Sequence, residues 1–429
     1  MQLTNNILTL SRQSTTGIFI NVMISGNYLL LALPPCYTES SGDIWLDELW
    51  YRDLVGHLEH IENLIILSEQ CDKPLSGKVD GCTLIKVDAA TRARLKFSRL
   101  PSISSSKQIP FHFMRCLPIL WRLIKQADIV HSGVIGWPYP LGLIANPIAR
   151  ILKKPLIIVV ESSPWRLANP RSASRFARFR EALNEKFAAW SVKRADLAVF
   201  TSPGYCETLG RPENGALLIA PANWVKTTDI LSNEQAKATW AAKTGCLKFI
   251  CPTRLESYKG ISVIIEALEK LDAQKLDIQV DLIGHGALEA PLRKRLSHLK
   301  NLKSSLFEPV QYGEPFFNLL QQYDMLIAPT LGDEQPRVIF DGFSQGLGVI
   351  ASNSPGQDFL VDEGYTGALY WRTSADDLAK TITQAATDRD WLENLGMNAL
   401  NYVRGQTHEA MHQRRAEAIM KMLSDKSNR

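Results

Sequence analysis

The chain contains no Cys-x-x-Cys pair. Its seven cysteines (Cys36, Cys71, Cys82, Cys116, Cys206, Cys246, Cys251) are scattered and odd in number, which argues against a disulfide framework and a zinc site. Long apolar runs are lacking too. Asn5, Asn6, Arg12 and Gln13 interrupt the N-terminus where a secretory signal needs an apolar core, and no window approaches the roughly 20 apolar residues that span a bilayer. A charge excess of one sign is also missing: 48 Lys and Arg against 44 Asp and Glu leave +4, too little to attract nucleic acid in bulk. Eight histidines without evident paired spacing give no metal motif. What remains is the ordinary composition of a soluble globular protein of two or three domains, expected in the cytoplasm.

Short apolar runs alternate with helical patterns along most of the chain, the βαβα signature of parallel sheets covered on both faces. One series comprises Tyr28–Leu33, Leu64–Leu67, Ile129–His131, Leu156–Val160 and Leu197–Thr201. A second comprises Lys248–Pro252, Gln279–Ile283, Met325–Pro329, Gly348–Ala351 and Ala368–Tyr370. Each suits one doubly wound sheet, so the expected fold class is α/β with two Rossmann-like domains, 1–235 and 236–400. Trp391–Leu423 reads as helix, and residues 401–429 are expected to form a terminal helix able to cross back to the first domain.

Three elements of the second half carry chemistry. Arg254 and then Lys259-Gly260 follow the strand KFICPT, placing two cations at the strand end where open α/β sheets bind ligands and where a diphosphate needs neutralising. Unconnected, such a pair is an exposed Arg and Lys in a loop. The next strand runs into Gly284-His285-Gly286, and glycines ahead of a helix N-terminus let a phosphate approach the backbone. Glu289 stands where a dinucleotide fold wants its third glycine, which weakens a nicotinamide-cofactor reading. The third element, Gly332-Asp333-Glu334-Gln335-Pro336-Arg337-Val338-Ile339-Phe340-Asp341, follows the strand LIAPT, with Pro336 expected in the first turn of a helix. Asp333 and Glu334 then lie before the helix and Asp341 one to two turns inside it, able to accept hydrogen bonds from two separate sets of hydroxyls. Asp388-Arg389-Asp390, the single D-x-D in the chain, reads as a helix boundary rather than a metal site.

In this order the three elements resemble the second domain of the GT-B glycosyltransferases, most closely the retaining family 4 type, also called glycosyl transferases group 1. That family has a Gly-Arg-Leu strand end leading to Lys-Gly, a Gly-x-Gly turn, and an E-x7-E motif with a proline three residues after the first acid. The counterparts here are Arg254-Leu255 with Lys259-Gly260, Gly284-His285-Gly286, and Asp333 with Pro336 and Asp341. The resemblance covers about 248–384 and is looser in the first half, through Pro34-Pro35, Gly42-Asp43 and the segment ADLAVFTS from Ala195. Two departures stand out. Both acids of the motif are aspartates, and Glu161 occupies the strand end after LIIVV where many members have a histidine.

The resemblance implies two domains facing a cleft and transfer of a sugar, with retention, from a nucleotide-diphosphate sugar to an acceptor hydroxyl, without metal or other cofactor. Arg254 and Lys259 would stabilise the leaving diphosphate, and Asp333, assisted by Glu334, would hold donor-sugar hydroxyls. Asp341 would meet the ribose, the backbone near Glu308 to Val310 the base, and Gly284, Gly286 and the Gly42 loop the phosphates. Glu161 would lie near donor sugar and acceptor. Thr91–Lys125, with eight basic residues and no acid, and the Arg-rich, aromatic stretch 166–194 suggest a glycan or lipid-linked acceptor at an anionic membrane face, in exopolysaccharide or cell-envelope synthesis. A small soluble acceptor stays open. So do a catalytically silent sugar-nucleotide-binding subunit, suggested by the two aspartates and the absent histidine, and a GT-B epimerase.

Overall fold

The computed structural model describes residues 7–8, 23–34, 36–38, 42–68, 70–71, 84–101, 105–136, 139–166 and 174–427. Contacts divide the chain into two compact units, Met1–Pro221 together with Met411–Arg429, and Ala222–Ala410. The division falls earlier than residue 235. The stretch after Pro221 is bound to the second unit through its backbone: the Ala222 N–H donates to Gln335 Oε1 (2.8 Å), and Val225 accepts the His408 N–H (2.7 Å).

The first unit is built on an eight-stranded sheet in the order Ile7–Leu8, Ala216–Ile219, Leu197–Phe200, Leu156–Val160, Ile129–Gly133, Ile24–Leu30, Ile61–Ser68, Leu95–Arg99. All neighbours are parallel. Strands Leu156–Val160 and Leu197–Phe200 are apolar along their whole length because helices cover both faces, and both are buried at every position. One face packs against helices Ile109–Gln126, Gly142–Ile151 and Arg175–Lys193, the other against Glu48–Leu58 and the last helix, whose Ala416, Ala418, Ile419 and Met422 join that core. A small sheet of Gln70–Cys71, Cys36–Thr38, Ile44–Asp47 and Leu84–Lys86 lies outside the alternation.

The second unit has six parallel strands in the order Leu306–Phe307, Ile278–Ile283, Leu247–Pro252, Met325–Ala328, Gly348–Ser352, Gly367–Tyr370. Chain order therefore runs outward in both directions from Leu247–Pro252, which creates a topological switch between that strand and Met325–Ala328. Ligands of open α/β sheets bind at such a point, outside the carboxyl ends of the strands.

Several local expectations change. The pattern Trp391–Leu423 is two helices, Arg389–Val403 and His408–Ser427, separated by a break at 404–407. Asp388 caps the first by accepting the Trp391 N–H (3.0 Å), the boundary role expected of the D-x-D segment. Part of the acid-free stretch is strand Leu95–Arg99, and the strand Ala216–Ile219 was hidden by its brevity. Pro35 and residues 102–104 and 167–173, which fall within segments singled out above, lie outside the described residues.

Candidate functional site

The two sides of the second unit's switch point are joined by one ion pair. Lys259 ends a short 3-10 turn, Ser257–Lys259, that follows strand Leu247–Pro252, and Glu334 lies in the loop after strand Met325–Ala328. Lys259 Nζ and Glu334 Oε1 are in direct contact, with side chains 11% and 20% exposed. Burial presses the Lys259 ammonium below its ordinary value. Glu334 opposes that shift, and the charges of Arg254 and Arg337 add to it. Three cations therefore share a small region with one paired carboxylate, and Arg254 is exposed. This pairing changes the expectation for Glu334, which holds Lys259; Asp333 is half-buried in the same loop.

Backbone packing fixes the turns around this pair. Gly260 sits at φ +76°, and a Cβ there would collide with the Pro329 carbonyl oxygen, so the loops after the two strands approach as closely as backbone allows. Gly284, at φ +149°, meets the Thr253 carbonyl in the same way. Gly286 is similar, with Leu255 O 2.7 Å from its would-be Cβ. Two backbone bonds staple the loops, Leu255 N–H to His285 O and Leu288 N–H to Leu255 O, both 2.9 Å.

Asp341 lies in the first turn of helix Val338–Ser344, shallower than expected, because Pro336 precedes the helix instead of opening it. Asp341 is buried, and the Tyr312 hydroxyl donates to its Oδ1 at 2.8 Å. Nothing in the sequence spacing links these two residues. The region Glu308 to Val310 follows the two-residue strand Leu306–Phe307. The Glu308 side chain turns to Arg293, whose Nη2 donates to it at 3.2 Å. Arg337 stacks over the Trp224 ring at 4.6 Å, and Trp224 stacks on His408 with centroids 5.8 Å apart.

Residues 232–402, nearly the whole of this unit, match the model of the family described as glycosyl transferases group 1. This segment resembles that family. Protein CapJ of Staphylococcus aureus is 22% identical over 346 residues, 79% of this chain and 84% of CapJ. Among solved structures, a sucrose-phosphate synthase of Thermosynechococcus elongatus superposes with TM-score 0.66 at 14% identity, covering 94% of this chain and 100% of the other. HepE of Anabaena, solved with UDP and glucose, superposes with TM-score 0.61 at 15% identity, covering 93% and 100%. The fold is GT-B. The switch-point ion pair, the glycine turns and Asp341 all lie within the matched segment.

Gly42 and Glu161 lie in the other unit. Gly42, at φ +89°, is an exposed turn ahead of strand Ile44–Asp47. Glu161 follows strand Leu156–Val160 directly, half-buried, and its carbonyl accepts the Thr201 hydroxyl at 3.2 Å. The basic stretches of this unit divide by role. Arg94 is spent on the carbonyls of Leu58, Ile61 and Glu62, and Arg92 on that of Leu95, so neither is free to face a lipid. By contrast, helix Ile109–Gln126 exposes Phe111, Met114, Leu117 and Trp121 beside exposed Arg115, Arg122 and Lys125. Helix Arg175–Lys193 likewise exposes Phe176, Phe179, Leu183 and Trp190 beside Arg175, Arg178, Arg180 and Lys186. Both stripes combine large apolar side chains with cations at helical spacing, the character of an interfacial face. Among the described residues, no helix is long and apolar enough to cross a membrane.

The histidines do include a spaced pair. His408 and His412 are one turn apart on the last helix, a signal that a search for metal-type spacing could have found.

Proposed function

We propose that this protein transfers a sugar, with retention, from a nucleotide-diphosphate sugar to an acceptor hydroxyl in capsule, exopolysaccharide or other cell-envelope glycan synthesis. The observation that carries this reading is the Lys259–Glu334 pair at the switch point, with Arg254 and Arg337 close enough to act on its charge. A leaving nucleoside diphosphate gains negative charge as the C1–O bond breaks, and fixed cations there lower the barrier by stabilising that charge. Arg254 and Lys259 take this role, and the reading calls on no resident cofactor. Glu334 positions Lys259, while Asp333 accepts hydrogen bonds from donor-sugar hydroxyls. Gly284 and Gly286 give the phosphates access to backbone N–H groups. Asp341, oriented by Tyr312, meets the ribose, and the backbone of Glu308 to Val310 the base.

In the front-face mechanism the acceptor oxygen bonds to C1 on the side the phosphate leaves, and the acceptor proton passes to a departing phosphate oxygen. No carboxylate nucleophile is needed, unlike in retaining glycosidases. In the first unit, Glu161 is assigned to the acceptor and the Gly42 loop to phosphates. The similarity to CapJ supports a capsule or polysaccharide role, and HepE, solved with UDP and glucose, supports a nucleotide-sugar donor. The two amphipathic stripes support a lipid-linked acceptor at an anionic membrane surface on the cytoplasmic side.

A thermal-shift panel of UDP-, GDP- and ADP-sugars tests the reading. One donor class should stabilise the wild type, with the shift abolished in Arg254→Ala and Lys259→Ala; no shift with any donor refutes the proposal. With the donor in hand, binding without transfer or hydrolysis over a wide acceptor panel identifies a silent subunit, and a changed sugar with donor alone identifies an epimerase. Sedimentation with liposomes at low salt that shows no preference for anionic lipid removes the membrane assignment.

A further inference from the structure

Beneath the last helix, within the first unit, lies a cavity of about 20 Å³ whose polar lining is almost entirely basic. His57, His60, His131 and His412 line it with Arg415, while Ile24, Ile157 and Val199 close its apolar sides. Tyr28 contributes a hydroxyl that pairs with His131 Nδ1 at 2.8 Å. Asp53 does not line the cavity. Instead His412 Nε2 lies 3.2 Å from its Oδ1 and His57 Nε2 3.7 Å from its Oδ2, so an imidazole faces each of its oxygens.

Arg415 decides the chemistry. It is 7% exposed, and its Nε and Nη2 are buried with no hydrogen-bond partner among the described residues. A buried guanidinium is costly unless its charge and its donors are met. Burial, with the nearby charge of Arg415 adding to it, holds the His131 imidazole well below its ordinary value, so this ring faces the cavity neutral and adds no second cation. The cavity is large enough for one water, whose minimum requirement is roughly 10–15 Å³, but too small for a phosphate or a nucleotide.

We propose that this cavity binds one small monovalent anion of the halide class, held by the Arg415 guanidinium. The anion would meet the Arg415 charge, whose Nε and Nη2 the described residues leave without a hydrogen-bond partner. It would fix the last helix, which supplies His412 and Arg415, to the sheet, which supplies Tyr28 and His131. This binding is separate from sugar transfer, since none of these residues belongs to the donor site.

Thermal unfolding in sodium chloride, sodium bromide, sodium sulfate and sodium gluconate at matched ionic strength is the test. Wild type should show a rise in Tm specific to chloride and bromide, growing with the logarithm of their concentration. Arg415→Met, similar in length and uncharged, should respond equally to all four salts. Equal wild-type responses in chloride and gluconate overturn the proposal, as does an undiminished chloride effect in Arg415→Met. Should that variant fail to fold, wild-type crystals grown in bromide give a second readout: an anomalous peak within hydrogen-bond distance of Arg415 supports the site, and its absence refutes it. Zinc is the opposing outcome. One equivalent taken up by wild type and lost in Asp53→Asn would make the cluster a cation site and overturn the anion assignment.

Discussion

Replacing Lys259 with methionine separates two consequences of the switch-point pair that are otherwise confounded. Removing one partner of a fully buried ion pair costs about 3–5 kcal/mol, because the remaining charge stays desolvated. Here the side chains keep 11% and 20% exposure, so water relieves part of the penalty and about 2–3 kcal/mol is expected. At roughly 2–4 °C per kcal/mol for a unit of this size, Tm should fall by roughly 4–12 °C. The double variant Lys259→Met/Glu334→Gln removes the stranded carboxylate and should return stability to within about 1 kcal/mol of wild type. Donor binding, in contrast, should be lost in both, since neither retains the phosphate cation. Urea unfolding measures the first quantity, and titration with the nucleotide sugar identified by the thermal-shift panel measures the second. A double variant as unstable as the single one refutes the electrostatic argument. A double variant that still binds donor refutes the role given to Lys259.

Gly284→Ala places a Cβ against the Thr253 carbonyl at a strained φ and should destabilise the second unit by at least about 2 kcal/mol in urea unfolding; a change within 0.5 kcal/mol, roughly the surface-substitution range, would show that the turn has slack. Tyr312→Phe removes the hydroxyl that Asp341 accepts and should cost about 1–2 kcal/mol while weakening nucleotide affinity less than Asp341→Asn does. Equal affinities in all three proteins would remove Asp341 from the site. Burial lowers the Lys243 ammonium to about 7, over the Trp240 ring at 3.4 Å. Below pH 7 this lysine is charged in both states and its burial is destabilising. As pH rises from 7 toward 10.5, the native state sheds a proton that the unfolded chain keeps, so stability should rise by up to about 1.4 kcal/mol per unit. The difference between wild type and Lys243→Met, measured from pH 6.5 to 9.5 (roughly the window of that shift), should carry this slope, and a flat difference would count against it.

The fold was legible because buried parallel strands announce themselves as short apolar runs: Leu156–Val160 was read to the residue. Pieces that escaped are short or lie at sheet edges. Ala216–Ile219 has only four residues, and Leu95–Arg99 lies at the sheet edge with basic residues along it. The glycines of the site could be found because each answers a local demand, a carbonyl too close for a Cβ. Pairings across the sheet could not. Lys259 meets Glu334 across a separation of 75 residues, Tyr312 meets Asp341 across 29, and Arg293 claims Glu308 across 15. Glu334 was accordingly read as a substitute for a sugar-binding glutamate, when its neighbour across the switch point is a lysine. Arg92 and Arg94 were counted with the basic surface although each satisfies backbone carbonyls, a use that composition does not reveal.

The chain enters the second unit at Ala222 and returns to the first at Met411. In topological terms the second unit is an insertion, and the first is a discontinuous domain completed by residues 411–429. Synthesis from the N-terminus therefore yields an unfinished first sheet, open on the face that Ala416, Ile419 and Met422 later cover, until the inserted unit has been made and passed. The inserted unit can be excised as one continuous piece, 222–410, whereas the surrounding one can be isolated only by splicing residue 221 to residue 411. Loss of the last nineteen residues, 411–429, would consequently damage the sheet nearest the N-terminus and leave intact the unit immediately upstream of the cut.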